Sequence, residues 1–248
     1  MFQFFVAKEQ INIEEHKAII TGSDVNHITN VLRMKIGEQF YVNDGSASGK
    51  YLCALQSVSD DAVICEIKEH IAETSELPCE IVLYQGLPKA DKMELIIQKA
   101  VELGVTRIVP VAMKRSIVKL DDKKAQSKIA RWQQIAEAAA KQSKRDIIPT
   151  IDAPMTLKEA LKETESFELS MMPYEQAKGM AYTRELLDGI KPGQKIAIFI
   201  GPEGGFEESE VELALEMGTK PVTLGRRILR TETAGLTMLA MLIYVLEA

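Results

Sequence analysis

Ile196-Ala197-Ile198-Phe199-Ile200 runs straight into Gly201-Pro202-Glu203-Gly204-Gly205-Phe206. The first five residues are apolar without alternation, which suits an interior strand covered on both faces, as in a parallel sheet. In open α/β sheets ligands sit beyond the carboxyl ends of strands, and glycines let backbone amides approach a ligand closely. This loop carries Glu203 where a phosphate cradle would normally add Lys or Arg, and the next helix opens with Glu207, Glu208 and Glu210. Those carboxylates already occupy the favourable anion position at a helix N-terminus. The loop therefore suits a neutral or cationic ligand held by backbone contacts better than it suits ATP. Taken alone, it also reads as a tight strand-to-helix turn.

Outward from this strand the pattern alternates. Strands are predicted at Glu80–Tyr84, Arg107–Val111, Phe167–Met172 and Pro221–Leu224, with helices at Asp91–Leu103 and about Lys123–Gln142. Asp91 with Glu94 resembles a capping box, and Gly104 supplies the C′ position. This is a parallel α/β domain. The first seventy residues differ: short β-type runs at Phe2–Val6, Gln39–Val42, Tyr51–Leu55 and Ala62–Ile67, with one helix expected from Ser23 to Met34. They predict a small β-rich module of barrel type, joined to the rest by Glu73–Pro78. The expected domains are residues 1–72 and 73–248.

The 248 residues carry a net charge of −6, which excludes a uniformly basic nucleic-acid binder. With 46% hydrophobic and 27% charged residues the chain is globular in composition rather than disordered. Charge is uneven: 14 basic against 7 acidic residues fall between Gly86 and Thr150, while both flanks are acidic. That block fits one face meeting a polyanion, or a solvated helical surface. Cys53, Cys65 and Cys79 form no CxxC and cannot pair completely, which argues against a disulfide scaffold or a zinc site. MFQFFVAKEQ lacks the basic and apolar regions of a signal peptide, and Ala234–Leu246 is too short to span a bilayer. A cytoplasmic chain without membrane or metal is expected.

Three familiar chemistries find no motif. Gly45–Tyr51 has three residues between its glycines and Tyr after its Lys, so it is a hairpin turn rather than a Walker loop. No GxGxxG follows a predicted strand. His16, His27 and His70 are dispersed, away from any nucleophile or ligand set. His27 and Trp132 read as packing residues.

A second glycine-bearing loop survives: Leu224-Gly225-Arg226-Arg227-Ile228-Leu229-Arg230-Thr231-Glu232-Thr233-Ala234. It places three arginines between apolar residues and opens a helix near Thr231 or Thr233. Ile228 and Leu229 can wall an apolar ligand, and Arg230 can aim a planar fork at an anionic oxygen. Together IGPEGGF and LGRRILRTETA resemble the SPOUT superfamily of S-adenosylmethionine methyltransferases, specifically its RsmE family. The resemblance extends over Val25–Glu38, Gly86–Pro110, Arg115–Lys119 and Arg131–Pro149, and so over essentially the whole chain.

That resemblance implies methylation of N3 of one uridine of 16S ribosomal RNA in the 30S subunit. It also implies a PUA-like RNA-binding barrel, a trefoil-knotted parallel-sheet domain and a homodimer. Cofactor would sit on three loops, represented by Ser170–Met172, Ile200–Gly205 and Leu224–Leu229. The expected cofactor residues are Met171, Met172, Ile200, Gly201, Glu203, Gly205, Leu224, Gly225, Ile228, Leu229 and Thr233. Arg230 is expected to donate to a uracil carbonyl, with Glu232 holding it. For RNA the candidates are Arg33, Lys89, Arg115, Lys119 and Arg145. Four positions depart from the family pattern: Gln3 for a basic residue, Asn26 for the first of a His pair, Ala90 for Gly, and Arg226 for Pro. Two rival readings are an RNA-binding module with an inactive knot and a nucleotide-dependent α/β enzyme.

Overall fold

The computed structural model describes residues 1–118, 122–177 and 179–247, with no account of the side chains of 122–124. The chain forms two compact units, Met1–Glu76 with Ala140–Ile148 and Leu77–Ala139 with Pro149–Ala248.

The first unit is a six-stranded sheet built from β1 (Gln3–Phe5), β2 (Ile11–Asn12), β3 (Lys17–Thr21), β4 (Gln39–Asn43), β5 (Lys50–Val58) and β6 (Ala62–Ile71). Its order is β1-β4-β5-β6-β3-β2. The alternation in β3 shows why: Ala18 and Ile20 are buried while Lys17, Ile19 and Thr21 face out. The β4–β5 connection is the expected hairpin turn, fixed by Asn43 Oδ1 accepting from the Gly45 amide at 2.6 Å and Asp44 Oδ1 from the Ser46 amide at 2.9 Å. The helix expected over Ser23–Met34 is instead α1 (Ser23–Asn26) followed by a π-type turn over His27–Val31. Gly22, with φ +75°, starts it in place of Ser23. His27 is exposed, its ring edge-on to Phe4 with centroids 6.4 Å apart.

A sealed ionic cluster explains why Ala140–Ile148 belongs to this unit. Glu76 receives the Arg145 guanidinium and the amides of Asp146 and Ile147 at 2.8 and 3.2 Å. Asp146, fully buried, accepts from Asn43 at 3.1 Å, Lys50 at 3.2 Å and the Ser75 amide at 3.0 Å. Buried charges persist only when paired and hydrogen-bonded, so these contacts fix the segment. The linear division expected at residue 72 differs from this one, because Ser75 and Glu76 are tied into the cluster rather than free to act as linker. Gln3 also belongs here. It is 4% exposed and its Nε2 donates to the Arg145 carbonyl at 2.5 Å, so its side chain is sealed inside the unit.

The second unit holds β7 (Glu80–Gly86), β8 (Arg107–Ala112), β9 (Thr150–Ile151), β10 (Met155–Thr156), β11 (Leu169–Pro173), β12 (Lys195–Ile200) and β13 (Lys220–Val222). Its helices are α2 (Lys92–Glu102), α3 (Asp122–Ser143), whose last turn joins the first unit, α4 (Leu157–Glu163), α5 (Met180–Asp188), α6 (Glu208–Glu216) and α7 (Thr231–Leu246). The strand order is β10-β8-β7-β12-β11-β13, with β9 beside β8 and parallel pairing throughout the described residues. All six residues of β12 except Lys195 are buried, as its unbroken apolar run predicts. Gly104 takes φ +85° at the end of α2, but Asp91 makes no side-chain cap. Glu94 instead takes a bidentate pair with Arg131 at 2.5 and 2.8 Å. Trp132 is 3% exposed packing. Register decides the site: Ile200 pairs with Gln85, and Pro173 with Val222, so the loops after β7, β12, β11 and β13 leave from one edge.

Candidate active site

Three of those loops enclose a pocket of about 480 Å³, within the range of small-molecule sites. Its walls are Pro173–Glu175 after β11, Ile200–Phe206 after β12, and Ile228–Thr231 with Ala234 at the start of α7. An adjoining recess of about 250 Å³ continues over Thr223–Leu229. Gly205 takes φ +68° and turns the chain back toward β12, which an L side chain would resist. The acidic first turn of α6 is internally satisfied. The Glu207 amide donates to Glu210 Oε2 at 2.8 Å in a reciprocal capping box, and Glu210 Oε1 takes the Lys114 amide at 2.8 Å. This helix end holds carboxylates where phosphate would bind, which fits the reading against ATP.

The pocket brings together Ile200, Gly201, Glu203, Gly205, Ile228, Leu229 and Arg230, with Leu224 and Gly225 in the adjoining recess. Met171 and Met172 are buried in β11 and do not line it; the wall comes from the three residues that follow, Pro173–Glu175. The reason is register, since β11 ends at Pro173 and only the loop beyond reaches the edge. Thr233 is exposed on α7 and lies outside the lining, whereas Thr231 lines it and is buried.

Glu232 does not hold Arg230. Its partner is Lys92, whose Nζ lies 3.3 Å from Glu232 Oε2 and 3.1 Å from Glu203 Oε1. One ammonium thus spans the two loops. Glu203 also receives the Lys89 amide at 3.0 Å. Burial pushes the Glu203 carboxyl up, but hydrogen bonds from its own amide, the Lys89 amide and Lys92 outweigh this and hold it below the ordinary carboxylate value. A carboxylate of lowered basicity is a poor proton acceptor at neutral pH, so Glu203 anchors the loop. The hydrogen bond to Glu203 raises Lys92 above an ordinary lysine, against a smaller desolvation effect, and Glu232 adds to the rise. Arg230 is exposed at the N-cap of α7, so its guanidinium is presented at the pocket mouth. Lys92 was missed from the sequence because its role depends on two carboxylates more than 100 positions away. The signal available was only its place in the Gly86–Pro110 segment.

Of the RNA candidates, Arg33, Lys89 and Arg115 are exposed, and Arg115 reaches across to Glu207 at 2.8 Å and the Gly204 carbonyl at 3.0 Å. Arg145, by contrast, is only 3% exposed and paired with Glu76, so the fold uses it as a structural cation rather than presenting it at the surface. Lys119 lies outside the described residues.

The RNA methyltransferase domain family matches residues 75–243, and the RNA methyltransferase PUA domain family matches residues 20–68. The chain is 39% identical to ribosomal RNA small subunit methyltransferase E of Bacillus subtilis (strain 168), over 100% of this chain and 98% of that protein. It belongs to the ribosomal RNA small subunit methyltransferase E family. Among solved members, that of Neisseria gonorrhoeae, described as bound to S-adenosyl methionine, superposes with a TM-score of 0.83 at 33% identity, covering 99% of this chain and 98% of that one. A Legionella pneumophila methyltransferase structure, described as holding bound SAM, gives 0.84 at 30% identity, with 98% and 97% covered. Membership in the methyltransferase E family accounts for the conjunction of a PUA-like unit with a parallel-sheet unit. No helix among the described residues is long and apolar enough to cross a membrane.

Proposed function

We propose that this chain is an S-adenosylmethionine-dependent methyltransferase acting on N3 of one uridine of 16S ribosomal RNA. In this reading it works in the cytoplasm as a homodimer on the 30S particle, with the β11–β13 region forming a trefoil knot. The observation that carries the reading is the convergence of Pro173–Glu175, Ile200–Phe206 and Ile228–Thr231 on one pocket of cofactor size.

The residues present fit that cofactor. Ile200, Leu229 and Ala234 offer an apolar wall for a purine, the glycines of the Gly201–Phe206 loop open its backbone to polar contact, and two of the lining cations, Lys92 and Arg115, are already paired with Glu203, Glu232 and Glu207. When bound, S-adenosylmethionine supplies an electrophilic methyl group. The chain's own task is to hold the uracil in line and stabilise the negative charge left when N3 loses its proton. Arg230, exposed at the pocket mouth, donates to a uracil carbonyl oxygen. Glu203 and Glu232, both held by Lys92, fix the two loops that frame it. Arg33, Lys89, Arg115 and Lys119 are the proposed RNA contacts.

The test is methyl transfer from labelled S-adenosylmethionine to unmethylated 30S subunits and to naked 16S RNA, followed by nucleoside analysis. Label in 3-methyluridine is expected, with 30S the better substrate. Label in another nucleoside would overturn the uridine N3 assignment, and failure of the protein to bind the cofactor at all would overturn the enzymatic reading.

A further inference from the structure

Below the pocket floor lies a buried polar chain that none of the motifs announces. Gln85, fully buried at the carboxyl end of β7, uses both amide hydrogens. Its Nε2 donates to Thr231 Oγ1 at 2.9 Å and to the Gly86 carbonyl at 3.0 Å. The Thr231 hydroxyl in turn donates to the Gly201 carbonyl at 2.6 Å. The chain has one direction. A hydroxyl has a single proton, and Thr231 spends it on Gly201, so the group facing it from Gln85 must be the NH₂. Gln85 Oε1 is left buried without a partner, a cost accepted to keep that direction. Next to it Gly86 packs so close to the Gly201–Phe206 loop that a Cβ there would lie 2.6 Å from the Pro202 nitrogen.

We propose that Gln85 and Thr231 are positioning residues for the cofactor. By orienting the Gly201 carbonyl, their relay locks the Gly201–Phe206 loop to the first turn of α7. The two loops then present their backbone in one fixed arrangement. This inference rests on the proposed cofactor reading. Preorganised backbone groups bind more tightly than mobile ones because their ordering is not charged to the ligand. A relay serving only stability would leave cofactor affinity unchanged in any variant that still folds.

The experiment measures S-adenosylmethionine affinity by calorimetry for the wild type, Thr231→Val, Thr231→Ser, Gln85→Met and Gln85→Glu, with melting temperatures alongside. Thr231→Val keeps the shape and removes the proton, leaving the Gly201 carbonyl without a donor. Loss of one buried hydrogen bond of this kind corresponds to roughly 5- to 100-fold weaker binding. Thr231→Ser restores the hydroxyl and is expected to bind within about threefold of wild type on the same principle. Gln85→Glu keeps the size but, when ionised, has only acceptors. The Thr231 proton then turns toward it and leaves Gly201, so this variant should resemble Thr231→Val. Binding by folded Thr231→Val, or by both Gln85 variants should Thr231→Val not fold, within twofold of wild type overturns the relay. Wild type that fails to bind overturns the cofactor reading instead, so the two failures are distinct.

Discussion

Two groups of carboxylates and cations in this molecule differ sharply in burial. In the first unit Arg145, Glu76, Lys50 and Asp146 form a sealed cluster, with side-chain exposures from 0 to 12%. In the second unit Lys92, Glu203 and Glu232 form a half-open one at the pocket lip, with exposures from 18 to 30%. The residue types are the same, yet one cluster is architecture and the other frames a site. Burial separates them. A sealed ion pair cannot lose one member without stranding the other in a low-dielectric interior, whereas water can replace a partner at the lip.

The largest test of that contrast is Arg145→Ala, which strands Glu76. A loss of about 3–5 kcal/mol in denaturant unfolding of the full chain is expected. A loss below about 1 kcal/mol, typical of a surface pair, would erase the distinction. Arg230, another arginine drawn from the sequence as functional, should behave in the opposite way. Arg230→Ala is expected to lower turnover by roughly 10²–10³-fold with melting temperature and cofactor binding near wild type. Near-normal turnover in that variant would remove Arg230 from its proposed role.

The lip cluster makes a smaller, pH-dependent prediction. The folded Glu203 carboxyl lies below its ordinary value, so its stabilising contribution is present above the unfolded value of 4.5 and is lost as pH falls through the folded one. The difference in melting temperature between wild type and Glu203→Gln should therefore be full at pH 7 and shrink as pH drops below about 4.5. A difference that stays constant to the most acidic pH at which both fold would contradict the latch. Lys92 pulls the other way. Its raised value means that its contribution holds below 10.5 and fades only as pH rises through the folded value. The smallest effect concerns Ala90, which takes φ +52°. An L residue there is strained by about 1–2 kcal/mol, partly offset by the chain entropy that glycine would add. Ala90→Gly should accordingly raise the melting temperature by a degree or two, and a fall would show that Ala90 is held by packing.

The Gly that the resemblance leads one to expect at position 90 would thus have a backbone reason, since Ala90 takes a positive φ at a cost in strain. That departure was visible in the sequence, and its physical meaning was not, because φ is set by how β7 hands over to α2. The same holds for Arg145. Its place in a basic block suggested RNA, but only folding shows that Glu76, 69 positions earlier, encloses it. Gln3, in the sequence only a departure from the family pattern, likewise gained its meaning from the fold, as a buried donor to the Arg145 carbonyl.

What the sequence determined by itself was whatever depends on local pattern. The unalternating Ile196–Ile200 run announced an interior parallel strand, the turn residues from Asn43 to Lys50 announced a hairpin, and the two loop motifs located the pocket to within a few residues. Tertiary structure decided which charges are sealed and which are open, why Pro173–Glu175 rather than Met171 and Met172 line the pocket, and why Lys92 rather than Arg230 meets Glu232. Periodicity and turn chemistry act over a few residues and are written in the chain, whereas burial and ion pairing depend on segments a hundred residues apart meeting at one sheet edge.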